Sequence, residues 1–506
     1  MFIERPPTQP ARGGLRRTTV LAAALAAAAL SAGCGAEAQT PTGVLLISID
    51  SLRADHLSCY GYKSRTRPEI ATTPNIDALI AGQGVLFTDA SASTSWTLPS
   101  HLTMLTGRPN ELHGVRALPN RLPESVPMLQ ETFLSAGWRT AGFWSGPNLH
   151  PWFGFERGFE RYVDCSSHTV DDPSVFDIED PSGDQTAIVA LHNASHTGIT
   201  GPTVVREFDA WMDEVDADEP FFGFVHLWDV HYDYEPPAEY DVFDPGYEGP
   251  IDGKNFGKIK IAPGAKDDLN HLIALYDGEI RFTDDTVKRI LLRLEEDGRL
   301  DDTLIVLTSD HGEAFGEHGR LGHKHGLHTE ETHVPLLMRY PERLAARTVV
   351  RDTVSLTDLA PTILELTDLP PLPGMWGRSL APLATGAETA LPERPAPMEL
   401  TAPYIEREHR AARWADATVI DKRSRNELGS GLFLYDRRRD PLEMSNITTE
   451  METKRAYRFD QAQALWAELD ADAVEVRTGD ALPGQLEADL GAAGYVTGTE
   501  PIPSDE

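Results

Sequence analysis

Two short apolar runs, each closed by an aspartate, constrain this chain more than anything else in it. Residues 44–50 read VLLISID, and residues 303–313 read TLIVLTSDHGE. Both predict buried parallel strands with an acid at the carboxyl edge. Ligands of open parallel sheets gather at the carboxyl ends of the strands. Asp50, Asp310 and His311 can therefore converge although 260 positions separate the two aspartates. Two carboxylates and an imidazole make a mixed oxygen and nitrogen donor set. Such a set fits a divalent cation: Ca²⁺, Mn²⁺ or Zn²⁺.

A third segment supplies a nucleophile. TSWTLPSHLTMLTGR, residues 94–108, seats Thr97 just ahead of a helix whose first turn holds Pro99. Proline suits that turn because its missing N–H costs nothing there. Free N–H groups and partial positive charge at a helix N-terminus stabilise anions and developing oxyanions. Thr97 is thus placed to attack an anionic ester.

These segments resemble the sulfatase family of the alkaline-phosphatase superfamily. The resemblance rests on SIDSLRADHLSCYGY (48–62), TTPNIDALIAGQGVLFTDA (72–90), TLPSHLTMLTGR (97–108), HGV (113–115), SDHGEAFGEHG (309–319) and EETHVPLLMRYP (330–341). LFLYDRRRDPLEMSNIT (432–448) is similar to the family's closing segment, so the match spans nearly all of residues 43–470 in family order. It implies an alkaline-phosphatase-like α/β sandwich: a large, mostly parallel sheet flanked by helices, then a small C-terminal α+β subdomain with an antiparallel sheet. It implies Asp50, Thr97, Asp310 and His311 as metal ligands. In PFFGFVHLWDVHYDYEPP (220–237), His231 matches the residue that contacts the anion, with His226 second. In GHKHGLHTEE, His325 matches best the family's His or Lys ahead of the paired acids, with His323 and Lys324 as rivals. His113 precedes Gly114 in a loop that can reach the pocket.

Two departures from the family pattern matter. Sulfatases carry Cys or Ser where this chain has Thr97, and oxidise it to formylglycine; threonine does not give that aldehyde. The arginine that follows in the motif is replaced by His101. Thr97 instead matches the nucleophile position of the family's phosphoryl-transfer branches. Ser51 stands where many sulfatases have a second aspartate, and fewer anionic ligands favour one ion over two.

The chemistry of the hydroxyl then selects among esters. A bound cation lowers the pKa of a coordinated hydroxyl and neutralises the substrate. Attack by Thr97 forms a covalent ester. A formylglycine hydrate expels its sulfo group by regenerating the aldehyde, an exit that a threonyl ester lacks. A threonyl ester needs an activated water or an acceptor alcohol. Phosphate mono- or diesters are therefore the favoured substrates. The alternatives are sulfuric ester hydrolysis without formylglycine, phospho-group transfer, and an inactive sulfatase fold retained for glycan binding. Six of the 17 histidines fall between His311 and His333, a density suited to protonating a leaving group.

The N-terminus points to export. Arg12, Arg16 and Arg17 precede an Ala/Leu-rich run that ends in SAGC. This pattern reads as a signal peptide over 1–33, with a bacterial lipoprotein site at Cys34 or plain cleavage nearby. The expected location is the cell envelope, with a lipid anchor as the only membrane attachment. Removing 1–33 takes away four Arg and one Glu and moves the net charge from −34 to −37. Such acidity repels nucleic acid and anionic lipid surfaces. The expected partner is a small anionic ester, a sulfated or phosphorylated glycan, or a lipid headgroup. Cys59 and Cys165 can pair or remain thiols.

The expected organisation continues with a tether over 34–42 and a catalytic domain over 43–385. A Pro-rich linker (386–399), a small subdomain (400–470) and a poorly ordered tail (471–506) follow. Residues 354–370 read as an amphipathic helix closing the large domain. Residues 164–202 read as an insertion loop, with six acids between Asp171 and Asp184.

Overall fold

Every residue of Gly43–Ile49 (β1) is buried, and its side chains alternate between two separate cores. Val44 and Leu46 enter one core with Leu98, Leu102 and Leu105. Leu45, Ile47 and Ile49 enter the other with Leu272, Ile280 and Leu291. A strand that is apolar on both faces needs a helical layer on each. The computed structural model of the chain has that arrangement. It describes residues 39–166, 199–402, 407–424, 430–450, 452–474 and parts of 482–490.

The further strands are Val85–Ser91 (β2), Arg139–Trp144 (β3), Arg161–Asp164 (β4), Phe221–Leu227 (β5), Thr303–Ser309 (β6), Ala314–Phe315 (β7), Leu321–Gly322 (β8), His333–Arg339 (β9) and Thr348–Ser355 (β10). Seven of them join β1 in an eight-stranded main sheet, in the order β10-β2-β9-β6-β1-β5-β3-β4. Only β9 runs antiparallel to its neighbours. The buried helix Thr97–Thr106 contributes Leu98, Leu102 and Leu105 to one core. The 31-residue helix Lys266–Glu296 fills the other face. A second sheet of Ala396–Ala402 (β11), Arg407–Arg413 (β12), Thr418–Ser424 (β13) and Gly431–Tyr435 (β14) is antiparallel. The helix Glu452–Ala471 packs on it through Ala462, Leu465 and Trp466. This is the predicted fold class.

Register positions the site. Ile49 lies opposite both Leu227 and Ser309, and Ser48 opposite His226. The residues after Ile49 and Ser309, Asp50 and Asp310, therefore leave adjacent strands at one level.

Three local features differ from the sequence reading. Thr97 is the first helical residue rather than the one before, with extended Trp96 (φ −159°, ψ 157°) as the cap. The helix expected over 354–370 is shorter: β10 runs to Ser355, a 3₁₀ turn covers Leu356–Asp358, and the α-helix is Leu359–Leu366. Reciprocal bonds between Ser355 and Asp358 restart the chain there. That helix is buried all round except at Glu365, so it is a core helix and not an amphipathic one. Strand β11 begins at Ala396, inside the stretch expected as linker. Pro397 is tolerated because β11 is the edge of its sheet. The leader, Cys34, the acidic run between Asp171 and Asp184, and most of the tail lie outside the described residues. Cys59 and Cys165 are free thiols, both pushed up by burial.

Candidate active site

Ser51 takes a left-handed backbone conformation (φ 57°) directly after Asp50. Its N–H thereby reaches Asp310 Oδ1 at 3.2 Å, and its hydroxyl donates to Asp50 Oδ1 at 2.8 Å. The serine that replaces a second aspartate thus ties two carboxylates together. Asp50, Thr97, Asp310 and His311 are all completely buried. One ligand atom each from Asp50, Asp310 and His311 lie within 4.8 Å of one another.

Charge and tautomer suit this cluster to a cation. His311 Nδ1–H donates to the Gly312 carbonyl at 2.8 Å. A carbonyl only accepts, so Nε2 keeps its lone pair. That nitrogen lies 3.4 Å from Asp310 Oδ2 and 3.8 Å from Asp50 Oδ1. Asp310 Oδ2 is buried with no hydrogen-bond partner. Burial pushes Asp50 up to about 6, against the pull of His311. An unpaired carboxylate oxygen beside a lone-pair-bearing imidazole is a costly arrangement by itself, and a divalent cation satisfies both.

Thr97 Oγ1 joins the same cluster. It lies 3.4 Å from Asp50 Oδ2 and 3.4 Å from His311 Nε2. The hydroxyl therefore sits at once beside a carboxylate, an imidazole and the N-terminus of a ten-residue helix.

The other predicted residues divide by what they touch. His226 Nε2 is 3.3 Å from Asp50 Oδ2, and burial holds this imidazole down at about 4. The His323 ring is 4.3 Å from that of His311 and 5.0 Å from that of His231. Its Nδ1 faces Glu313 Oε1 at 3.2 Å, and Tyr234 donates to Glu313 Oε2 at 3.0 Å. His323 Nε2 is buried without a partner, and burial lowers the imidazole well below its ordinary range. His231 stacks on Trp228 at 4.0 Å, with Nδ1–H donated to the Tyr232 carbonyl at 2.7 Å. Lys324 has φ 69° and bonds Ser95 O through its N–H at 3.1 Å, and its charge pulls Asp50 down. His325 hangs from Glu331 Oε2 by its N–H (2.9 Å) and donates Nε2–H to Leu321 O (3.0 Å).

His101 and His113 have their bonds within the fold. His101 donates Nδ1–H to Thr97 O at 2.9 Å and accepts from Ser48 at 2.9 Å, which ties the helix to β1. His113 binds Thr103 Oγ1 and the Val115 N–H. Burial holds both imidazoles neutral, at about 3. Arg53 grips Asp55, Glu317 and the Glu313 carbonyl. The sequence reading passed over Asn148 and Ser145, both fully buried in the turn after β3. Their signal was available: two polar residues just past the carboxyl end of an apolar strand, RTAGFWSGPN.

Comparison with known proteins adds an independent line. Residues 42–369 match the family described as Sulfatase. Residues 316–469 match the one described as N-sulphoglucosamine sulphohydrolase, C-terminal. An N-acetylglucosamine-6-O-sulfatase of Bacteroides thetaiotaomicron is 24% identical over 481 residues, covering 81% of this chain and 83% of its own. An ulvan-active sulfatase of Formosa agariphila is 25% identical, over 75% of this chain and 73% of its own. In fold, the chain is similar to the phosphonate monoester hydrolase of Agrobacterium radiobacter. The TM-score is 0.67 at 24% identity, over 85% of this chain and 96% of that one.

Proposed function

The chain belongs to the sulfatase family of the alkaline-phosphatase superfamily and is an ester hydrolase, and from that premise we propose that it cleaves anionic esters with unmodified Thr97 as nucleophile. Phosphate mono- or diesters are the favoured substrates. The observation that carries this reading is the placement of Thr97 Oγ1, 3.4 Å from both Asp50 Oδ2 and His311 Nε2 at a helix N-terminus.

Asp50, Thr97, Asp310 and His311 would hold one divalent ion, of the kind that sulfatase-family enzymes generally bind. When bound, it lowers the hydroxyl pKa and offsets substrate charge. Thr97 Oγ1 attacks phosphorus and forms a P–O bond while the bond to the leaving alcohol breaks. Its proton passes to Asp50 Oδ2. His231, whose ring lies 5.0 Å from that of His323, protonates the departing alkoxide. Water then gives a proton to the same histidine and attacks phosphorus, the bond to Thr97 Oγ1 breaks, and Asp50 returns its proton to the threonine.

The relatives support a second reading. Several act by name on sulfated glycans, which makes a sulfated sugar ester the rival substrate. Export with a lipid anchor at Cys34 belongs to the same proposal, supported by the basic and apolar N-terminal run. The deciding experiment is turnover of matched aryl sulfate, phosphate monoester and phosphate diester by metal-loaded protein, with Thr97→Ala alongside. Phosphate-ester turnover lost in the variant supports the proposal. Sulfate turnover alone overturns the preference for phosphorus.

A further inference from the structure

Among the described residues, Asn148 is the one carboxamide with both Nδ2 and Oδ1 buried and unpaired. Buried polar groups in folded proteins nearly always have partners, so an exception needs a reason. Asn148 lies in the Pro147–Leu149 turn after β3. Strand β3 pairs with β5, Phe143 opposite Val225, so the chain leaves the sheet beside His226. Gly146 (φ 79°) presses on Trp228, where an added Cβ would come within 2.4 Å of the indole. Trp228 in turn stacks on His231. The Gly146 N–H is fixed on Ser166 Oγ at 3.0 Å, and the turn packs against the Thr97–Thr106 helix. Asn148 therefore belongs to a wall shared by the nucleophile's helix and the Trp228–His231 pair. Ser145, in the same wall, also has a buried and unpaired hydroxyl.

We infer that Asn148 is a specificity-determining residue that binds the alcohol portion of the ester through a hydroxyl group of a polyol such as a sugar; this rests on the ester-hydrolase reading of the site. The argument is one of donor and acceptor balance. A sulfate or phosphate oxyanion only accepts, so it would satisfy Nδ2 and leave Oδ1 stranded. A hydroxyl donates to Oδ1, and it or its neighbour on the ring accepts from Nδ2. A neutral carboxamide beside Ser145 thus matches a hydroxylated leaving group better than it matches the anion. Like Thr97, Asn148 is completely buried, so an alcohol lacking the hydroxyl leaves both of its atoms unpaired in a dry site.

The test compares Asn148→Leu with wild type on a 4-nitrophenyl ester and on the 6-sulfates and 6-phosphates of glucose and N-acetylglucosamine. The leaving group of the aryl ester has no hydroxyls. We expect kcat/KM for the preferred sugar ester to fall by about 30-fold or more, with the aryl ester within about threefold. Asn148→Ser, smaller and still polar, serves if the leucine variant misfolds, and should fall in between. Equal losses on both esters together with a lower melting temperature overturn the inference, as does no loss on either. A wild type that cleaves the aryl ester but neither cleaves nor is inhibited by any sugar ester also overturns it. Wild type inactive on every ester would sink the hydrolase reading instead. Calorimetric binding of the same sugar esters to both proteins then decides the role of Asn148: binding weakened in the variant upholds it, and equal or absent binding refutes it.

Discussion

Thr97 Oγ1 lies 3.4 Å from His311 Nε2 although the two residues stand 214 positions apart. The contact exists because Ser100, on the same helix, donates to Asp310 O at 2.6 Å, and because Gly312 O fixes the imidazole with its Nε2 lone pair turned toward the hydroxyl. It makes Thr97 the residue on which turnover should depend. Thr97→Ala is expected to lower kcat by about 10³-fold or more, as loss of a covalent nucleophile does. Thr97→Ser should keep activity within about tenfold of wild type. Acid-quenched mass spectrometry of wild type during turnover should find the ester on the peptide carrying Thr97. Full activity in the alanine variant would remove Thr97 from the chemistry.

Asp310 should govern cation affinity. Its Oδ2 has no hydrogen-bond partner, so a divalent ion gains a ligand there without breaking a hydrogen bond. Titration of wild type with Ca²⁺, Mn²⁺ or Zn²⁺ should raise its stability, by about 2.7 kcal/mol at a hundredfold excess over Kd. Asp310→Asn should blunt that rise and, in chelator, melt no lower than wild type, because it removes one of two crowded carboxylates. Thermal denaturation with and without each ion reads both effects. The site is not a cation site if none of the three ions shifts the wild-type melting temperature.

The loop bearing the histidines is held to the small sheet by a buried charge. Glu443 (φ 56°) turns its side chain inward, fully buried, toward Arg413 and His328, while Leu442 and Met444 remain exposed. Burial alone would raise this carboxyl, but Arg413 and His328 hold it at about 2, below its ordinary 4.5. A depressed carboxyl stabilises the fold above the unfolded value, and that contribution is lost as pH falls from about 4.5 toward 2. It amounts to about 3 kcal/mol at most. Glu443→Gln should lower stability at pH 7 by about 3 kcal/mol, because Arg413 is left buried and uncompensated. It should also flatten acid unfolding below pH 4.5. Urea denaturation at pH 7 and pH 3.5 measures both. Parallel losses at the two pH values would refute the linkage.

What the sequence made legible follows from where information is local. Asp50 and Asp310 could be read because an apolar strand closed by an acid is a pattern within ten residues, and parallel register brings the two ends together. The short buried helix Leu359–Leu366 could not be separated from an amphipathic one, because Thr362 within it and Asp358 just before it are buried against the N–H groups of Leu380 and Arg378. Histidine density after Asp310 marked a region and not roles. His318 stacks on His328 at 3.7 Å and His333 bonds Thr88 O, so those three serve the fold's joints. His323 differs from them only in its neighbours Glu313 and His311, which no spacing rule reports. For Asn148 the sequence offers only a polar residue past an apolar strand; that its carboxamide lacks a protein partner is visible in the fold alone.

Glu331 provides a pH test on the other side of the His323–His325 loop. Its Oε2 accepts the His325 N–H at 2.9 Å, and the residue is nearly completely buried. Burial, with the adjacent charge of Glu330, raises it from 4.5 to about 8. Between those values the folded chain keeps a proton that the unfolded chain has released. Stability contributed by this group therefore falls as pH rises, by up to about 1.4 kcal/mol per pH unit between about 4.5 and 8. Glu331→Gln keeps the acceptor oxygen and cannot ionise, so it removes that slope. The variant should match wild type near pH 5 and exceed it at pH 8 by on the order of 1 kcal/mol or more. Urea denaturation at pH 5, 6.5 and 8 would show the two proteins diverging. A constant difference across the three would mean that Glu331 ionises alike in folded and unfolded chains, and that the loop hangs from a charged carboxylate.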